Sequence, residues 1–493
     1  MSEIKDTQQH PKVEISVKNF GPIAEANIDL RPLTVFVGPS NTGKTYFATL
    51  IYALHGAFNG LFHSSLLPPF KFRGMDILNE LMTGLTASEE EIQEILDKLD
   101  MDERPFRLSD LPEEIRQTLG TIIKDTDFFR EELQDELRNC FNLNSISQLM
   151  RLTGKQRNET TVLLKIGEKA QEYLNISMRI SKSGVNLNNL TSLNISSYND
   201  IVLLPNECSA SGRLLDNIVS IRSFSYPEEH SRYYLPAARS SIMQSHRIIA
   251  SSLVKQATQA GVRRSSQFPT IPGVIADFME KIILYEEKTD FEFDFDEKMQ
   301  DPAEILESDV LAGRILLKST PSGYPDFYYR PQGVEEDIHL SQASSMVSEL
   351  APLVLFLRNL VYSGDILIIE EPEAHLHPGA QADMAVVLAR LVRAGVRVIV
   401  TTHSDWLLEE IGNLILEGLL AEETDEPASW LLPEEVGAWH FQKDEPVKEI
   451  AFDTRVGISP KDFEDVAEGL YNRSVNLQQR FEKKKGGDER ESS

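Results

Sequence analysis

The sequence predicts an α/β fold in which a mixed sheet, flanked by helices, is interrupted by a large and mostly helical insertion. Apolar strands and one helix occupy 12–56, and strands alternate with helices again at 344–419. Buried parallel strands of this kind need helices on both faces of their sheet. Each part is too short to form a domain alone. We therefore expect a single sheet that is built from both ends of the chain.

The chain divides into five regions on this basis. The two halves of the α/β part are 1–56 and 311–450. Between them, 57–230 is predicted to be mostly helical, with a hairpin formed by "TTVLLKI" and "YLNISMRI", and 231–310 is a basic strand–helix region with a linker. The last region, 451–493, is predicted to be a helical element with a disordered tail.

Composition is typical of a globular protein with more than one domain. The 493 residues are 41% hydrophobic and 8% aromatic. No apolar run reaches the roughly 18 residues of a membrane-spanning helix, and the polar N-terminus does not resemble a signal peptide. Cys140 and Cys208 are too few for a disulfide framework or a cysteine metal site. We expect a cytoplasmic protein without a membrane partner.

The net charge of −28 opposes nucleic-acid binding at long range. One stretch, 230–276, has no carboxylate but carries six basic residues. These are Arg232, Arg239, Arg247, Lys255, Arg263 and Arg264. Two interpretations are equally favoured: a nucleic-acid contact through 231–270, or a helix whose basic face packs on the acidic remainder.

The glycine-rich turn that follows the strand "LTVFV" has the pattern G-x-x-x-x-G-K-[ST]. Glycines let backbone N–H groups turn toward phosphates, and the start of a helix adds a favourable dipole. Lys44 is predicted to neutralise the β- and γ-phosphates of ATP, and the Thr45 hydroxyl to ligate Mg²⁺. The predicted nucleotide-binding residues of the turn are Gly38, Pro39, Ser40, Asn41, Thr42, Gly43, Lys44 and Thr45.

A second apolar strand, "DILII", ends in two carboxylates. Glu370 is predicted to hold Mg²⁺, and Glu371 to take a proton from an attacking water molecule. Four other acids in "DFEFDFDE" are far more typical of a solvated strand face than of a metal site. They are Asp290, Glu292, Asp294 and Asp296.

The next apolar strand ends in "TTHS", which places His403 where it could reach a γ-phosphate or the attacking water. His375, His377 and His403 could alternatively form a zinc site, but the carboxylate pair already accounts for a metal, so nucleotide roles are favoured. Ser344 and Ser345 open the helix before the Glu370 strand. Hydroxyl and free N–H groups at a helix start suit an anion.

These four motifs, in this order, resemble the ABC-type ATPase superfamily, and in particular the branch with RecF, the Rad50/SMC heads and the OLD-family ATPases. "EEPEAHLHPGAQ" followed by "TTHS" is similar to the OLD-like members. The resemblance implies that Gly38–Thr45 is Walker A and that Glu370 and Glu371 form Walker B. It further implies a D-loop at Ala374–His377, and it makes His403 the switch histidine.

By the same resemblance, the signature motif lies at Ser344–Glu349, with Met346 where glycine is usual. A Q-loop glutamine is not evident, and Gln244 and Arg239 are weak candidates. The sequence after the last ATPase helix is shorter than the Toprim domain of OLD nucleases, so we expect an ATPase part only.

The resemblance implies a homodimer in which two protomers share each ATP. The function it favours is a switch that controls a separate effector, such as a nuclease or toxin, as in antiphage defence. A RecF-like clamp that binds DNA directly in repair or replication is the alternative. A transporter subunit and an inactive scaffold are disfavoured, the first by the long insertion and the second by the complete set of catalytic groups.

Overall fold

A computed structural model describes residues 12–57, 106–107, 126–168, 171–192, 202–203, 231–245, 248, 271–286, 297–319, 325–421, 429–460 and 469–481. The main strands are β1 (Lys12–Phe20), β2 (Ile23–Leu30), β3 (Leu33–Val37), β4 (Thr160–Glu168), β5 (Gln171–Ser181), β6 (Gly184–Ser192), β7 (Arg232–Leu235), β8 (Gly313–Ser319), β9 (Pro325–Pro331), β10 (Ile338–His339), β11 (Ile366–Glu370), β12 (Arg397–Thr402), β13 (Val436–His440) and β14 (Lys448–Ile450). Two-residue strands lie at Phe106–Arg107, Leu152–Thr153, Gln156–Arg157 and Val202–Leu203.

Helices are found in both halves of the chain. They are α1 (Lys44–Ala57), α2 (Thr126–Phe141), α3 (Gly273–Ile283), α4 (Glu297–Ile305), α5 (Ser345–Asn359), α6 (Pro378–Arg393) and α7 (Asp405–Leu420). Shorter helical turns are Ile146–Leu149, Leu306–Val310, Leu340–Gln342 and Pro433–Glu435. Residues 239–245 and 469–481 are also helical. None of the described helices is long and apolar enough to cross a membrane.

The central sheet has the strand order β7-β11-β12-β3-β13-β14. Its first five strands are parallel, and β14 is antiparallel to β13. Strand β3 comes from the N-terminal part of the chain and lies between β12 and β13 from the C-terminal part. The prediction that both ends of the chain build one sheet is therefore confirmed.

A second, antiparallel sheet has the order β2-β1-β4-β5-β6. The predicted hairpin is present as β4 and β5, in a register that places Thr160 opposite Ile180. Strand β4 pairs with β1, because the alternating apolar residues of both strands face the same core. The described part of 57–230 is thus a mixture of helix and long strands. Its other residues lie outside the described ranges, as do residues 290–296 of "DFEFDFDE", for which a strand is predicted.

Two apolar clusters cover the two faces of the central sheet. In β11, Leu367 and Ile369 pack into one cluster with helices α5, α6 and α7, whereas Ile366 and Ile368 pack into the other with α1. This alternation follows from the period of a strand, whose successive side chains point to opposite faces. The parallel strands therefore read as continuous apolar runs, and their carboxyl ends meet along one edge of the sheet.

Candidate active site

The glycine-rich turn joins β3 to α1 through three residues with positive φ. These are Gly38 (φ 132°), Asn41 (φ 63°) and Gly43 (φ 112°). A Cβ on Gly38 would lie 2.1 Å from the carbonyl oxygen of Phe441, and one on Gly43 would lie 2.4 Å from Cγ1 of Ile23. Both positions therefore require glycine. The residues between them, Pro39, Ser40 and Asn41, are exposed, while Thr42 is buried and donates to the Pro39 carbonyl.

Lys44 is the buried cation of this turn. Its side chain folds back so that Nζ donates to the carbonyl oxygens of Gly38 at 2.6 Å and Pro39 at 2.9 Å. Burial lowers the pKa of Lys44 to about 8, against the opposing effect of the Glu371 and Glu373 carboxylates. The next residue, Thr45, is exposed at the start of α1. The ammonium and the hydroxyl thus lie at the helix N-terminus, where an anion is favoured.

The two predicted carboxylates at the end of β11 have different surroundings. Glu370 is buried, and its Oε1 accepts from the Tyr234 hydroxyl while Oε2 accepts from the Ala237 N–H. Glu371 has a φ of 45°, and its N–H donates to the Thr401 carbonyl at 2.9 Å. The side chain of Glu371 is 43% exposed. Glu370 is therefore fixed in place, whereas Glu371 can contact water.

His403 follows β12 and lies beside Glu371. Its Nε2 is 3.7 Å from Oε1 of Glu371, which is beyond direct hydrogen-bond distance. Burial lowers the pKa of His403, and the positive charge of Lys44 lowers it further, while Glu371 opposes both. The imidazole is consequently neutral at pH 7, and it can both donate and accept a hydrogen bond.

Glu373 is a residue of this site that the sequence did not single out. Its Oε1 accepts from the Thr402 hydroxyl at 2.7 Å and from the His403 N–H at 2.8 Å. Burial raises the pKa of Glu373. The only sequence signal for Glu373 is its place in "EEPE", two residues after Glu371. A third acid at that position is equally typical of a solvated loop. The contacts show that Glu373 anchors the segment that carries His403.

Ser344 and Ser345 are both exposed at the start of α5. Ser344 caps the helix by accepting from the Val347 N–H at 3.4 Å. Within the described part of the chain, no hydrogen bond or ion pair joins either serine to Lys44, Glu371 or His403. The structure thus brings together the phosphate loop, the carboxylates and His403, whereas the two serines make no direct contact of this kind with them.

The described residues contain no group of three or more His, Cys, Asp or Glu side chains arranged to hold a metal ion. This disfavours the zinc alternative. His377 instead caps α6, where its ring accepts from the Gly379 N–H. The oxygen donors of Thr45 and Glu370 fit Mg²⁺, an ion that proteins bind through few side chains and that takes its other ligands from water and phosphate.

Two of the six basic residues of 230–276 contribute to the interior. Arg232 forms an ion pair with Glu136 at 2.5 Å, and its guanidinium lies over the Tyr52 ring. Arg239 is 1% exposed. Both pack against carboxylates, Glu136 and Glu349, although Arg232 lies in strand β7 and not on a helix. The other four lie outside the described residues.

Residues 13–408 match the family model described as AAA ATPase domain. The chain belongs to the AAA ATPase domain family. This assignment agrees with the phosphate loop at the end of β3, and it supports ATP binding and ATPase activity. The predicted fold class, a mixed α/β fold with a phosphate-binding loop, is confirmed.

Three SMC heads are among the solved structures that are similar to this AAA ATPase domain. The SmcHead bound to the C-winged helix domain of ScpA shares 11% identity, with 89% of this chain and 97% of that chain covered and a TM-score of 0.39. An Smc head domain with an extended coiled coil, bound to the C-terminal domain of ScpA derived from Pyrococcus furiosus, shares 11% identity, with coverage of 94% and 100% and a TM-score of 0.39. The SMC head domain from Thermotoga maritima shares 11% identity, with coverage of 90% and 99% and a TM-score of 0.34. No curated protein matches the sequence significantly.

Proposed function

We propose that the protein hydrolyses ATP in a Mg²⁺-dependent reaction in which Glu371 is the general base. The observation that carries this proposal is the position of the Glu371 carboxylate. It is accessible to water, it lies 3.7 Å from His403, and it is close enough to Lys44 to affect the pKa of the ammonium. A base, a neutral imidazole and a cation at one sheet edge are the groups that phosphoryl transfer to water needs.

Each residue of the site has one task in this proposal. Lys44 and the N–H groups of the loop bind the β- and γ-phosphates, and Thr45 and Glu370 hold Mg²⁺, which neutralises phosphate charge when bound. Glu371 accepts a proton from the attacking water. His403 orients that water or donates to the γ-phosphate, because its neutral ring keeps one N–H.

We further propose that ATP joins two protomers head to head. The support is the exposure of Ser344 and Ser345 at the N-terminus of α5, where free N–H groups and hydroxyls can cap the γ-phosphate of the nucleotide in a second copy. Loss of the γ-phosphate on hydrolysis removes these contacts and releases the dimer.

The test measures ATP hydrolysis together with mass in solution. Wild type is expected to hydrolyse ATP, and Lys44→Ala to lose both nucleotide binding and activity. Glu371→Gln is expected to bind ATP with unchanged affinity, to lose at least about 100-fold in kcat, and to accumulate as a dimer with ATP and Mg²⁺. Ser345→Arg in the Glu371→Gln background should restore the monomer. Hydrolysis that persists in Lys44→Ala would reject the site.

The biological role that we propose is a cytoplasmic switch that controls a separate effector, with the OLD-like sequence "EEPEAHLHPGAQ" as its support. Tagged Glu371→Gln, recovered from its native cells with ATP and Mg²⁺, is expected to bring down a nuclease, a toxin or a tRNA. Recovery of the homodimer with chromosomal DNA alone would favour the RecF-like repair clamp instead.

A further inference from the structure

Arg239 is a fully buried cation at the back of the catalytic turn. It follows β7, and its side chain is 1% exposed. The guanidinium donates to the carbonyl oxygen of Glu370 at 2.5 Å and to that of Glu371 at 3.0 Å. It therefore holds the backbone of both Walker B carboxylates, without contact to their side-chain oxygens.

The same guanidinium is tied to helix α5. Its NH2 group forms an ion pair with Oε1 of Glu349 at 2.9 Å, and its Nε donates to the Glu349 carbonyl at 3.1 Å. Glu349 is itself fully buried. A buried charge is costly unless it is paired, so Arg239 and Glu349 must keep their contact when either element moves. A second contact, from Gln244 Nε2 to Ser348 Oγ at 3.3 Å, joins the same two elements.

The backbone that Arg239 holds is in a conformation that needs support. Glu371 has a φ of 45°, which costs a residue with a side chain about 1–3 kcal/mol. Arg239 donates to its carbonyl oxygen from one side, and the Thr401 carbonyl accepts its N–H from the other. The direction of the Glu371 carboxylate therefore depends on where Arg239 lies.

Glu349 lies four residues after Ser345, which places the two on the same face of α5, one turn apart. These contacts form a continuous path from the N-terminal turn of α5 through Glu349 and Arg239 to the backbone of Glu371. The path consists of one buried ion pair and two hydrogen bonds.

We propose that Arg239 is a positioning residue through which helix α5 sets the orientation of Glu371, so that engagement of Ser344 and Ser345 changes the rate of hydrolysis. The inference rests on the proposed ATPase function. It assigns to Arg239 a role in kcat that is separate from nucleotide binding and separate from stability of the fold.

The decisive variant is the double substitution Arg239→Gln with Glu349→Gln. It removes both buried charges at once, so that neither charge is left buried without its partner, which is the most destabilising outcome. It also removes the guanidinium that joins α5 to the two carbonyl groups. The matched control is Arg358→Gln with Glu307→Gln, because this largely buried pair joins the far end of the same helix to the turn before β8.

We expect the Arg239–Glu349 double variant to fold, to bind ATP within about threefold of wild type, and to lose about 100-fold in kcat, the effect of a misplacement of about 1 Å at a reacting group. The control pair is expected to keep kcat within about threefold. Wild-type kcat in the Arg239–Glu349 double variant would overturn the inference while leaving the ATPase intact. Absence of hydrolysis in wild type would overturn the proposed function and the inference with it.

Arg239→Lys gives a second measurement that does not depend on the fate of the double variant. Lysine keeps the positive charge opposite Glu349, but a single ammonium cannot reproduce the fork that reaches both carbonyl groups. The expected result is a folded protein with kcat reduced at least about tenfold and an unchanged KM for ATP. An unchanged kcat in Arg239→Lys would contradict the positioning role.

Discussion

Tyr234 donates its hydroxyl hydrogen to Oε1 of Glu370, from strand β7 to the neighbouring strand β11, at 2.5 Å. The Ala237 N–H occupies the other carboxylate oxygen at 2.9 Å. Burial raises the pKa of Tyr234 well above its usual value, so the hydroxyl keeps its proton and remains a donor. The end of strand β7 therefore orients both oxygens of the Glu370 carboxylate, which is proposed to hold Mg²⁺.

Tyr234→Phe is expected to lower the affinity of the site for Mg²⁺ without loss of ATP binding. Removing a group that orients a metal-binding carboxylate typically costs 10–100-fold in metal affinity or activity. We expect the Mg²⁺ concentration for half-maximal hydrolysis to rise by about that factor. EDTA should abolish hydrolysis in both proteins, and Mg²⁺ should restore it.

The control for this substitution is Tyr233→Phe. Tyr233 is the preceding residue of β7, is also buried, and donates to the carbonyl oxygen of Leu360 at 2.6 Å, away from Glu370. Both variants remove the hydroxyl group of a buried tyrosine. An equal change in Mg²⁺ dependence in the two would show a general loss of packing, and would contradict the role of Tyr234.

Binding of ATP is expected to depend on pH through Lys44. In the nucleotide-free protein burial lowers the pKa of this lysine to about 8, so the side chain is charged below pH 8 and loses its proton above it. A polyanion binds the charged form. The dissociation constant for ATP should be nearly constant up to pH 7 and then rise by about tenfold per pH unit above pH 8.

Titration of a fluorescent ATP analogue between pH 6.5 and 9.5 measures this dependence. The Glu371 and Glu373 carboxylates face the ammonium and raise the pKa of Lys44 against the larger effect of burial. Lys44→Met is the control, since it should bind weakly and with no slope above pH 8. A slope that persists in Lys44→Met would assign the titration to another group.

Glu373 is expected to contribute to catalysis at a cost in stability. Because burial raises its pKa above the usual 4.5, the folded protein holds the proton more tightly than the unfolded chain does. The contribution of Glu373 to the free energy of unfolding is therefore largest below pH 4.5. It falls as the pH rises from there through the pKa that Glu373 has in the folded protein. Glu373→Gln should raise Tm at pH 7, with a difference that shrinks toward pH 4.5.

Measurements of ATPase activity distinguish the effect of the Glu373 charge from the effect of its hydrogen bonds. The glutamine carbonyl can accept from Thr402 and from the His403 N–H, so kcat of Glu373→Gln should stay within about threefold of wild type. Glu373→Ala leaves two donors without an acceptor, which costs about 1–3 kcal/mol for each buried group, and it frees the His403 segment. We expect kcat to fall at least about tenfold in Glu373→Ala. Equal activities in the two variants would exclude an anchoring role.

The residues whose positions could be predicted from the sequence are those that directly follow an apolar strand. The phosphate loop, the acids at the end of β11 and His403 at the end of β12 each follow an apolar strand, so their common edge follows from the parallel sheet alone. The helix that Ser344 and Ser345 were predicted to open is also found, as Ser345–Asn359. The pattern of buried strands was sufficient for this part of the fold.

Tyr234, Arg239 and Glu373 illustrate what the sequence could not provide. Their roles come from contacts with residues far away in the chain. The sequence indicated Arg239 only as a basic residue and a weak Q-loop candidate, and it did not single out Tyr234 or Glu373. The alternating pattern of "EDIHLS" likewise suggests a longer strand than the two residues Ile338–His339 that form one. The His339 side chain accepts from the Ser341 N–H and starts the turn Leu340–Gln342 instead.

The first glycine of the phosphate loop has no room for a side chain. Gly38 has a φ of 132°, and a Cβ there would meet the carbonyl oxygen of Phe441 at 2.1 Å. Gly38→Ala therefore has to shift either the loop or the residues after β13. We expect at least a tenfold loss of ATP affinity and a lower Tm.

Gly154→Ala is the matched control, since its φ is 62° but nothing lies within 4 Å of the new Cβ. Backbone strain alone should cost the control about 1 kcal/mol and leave ATP affinity unchanged. Equal losses of affinity in the two variants would show that the close approach to Phe441 has no part in shaping the loop.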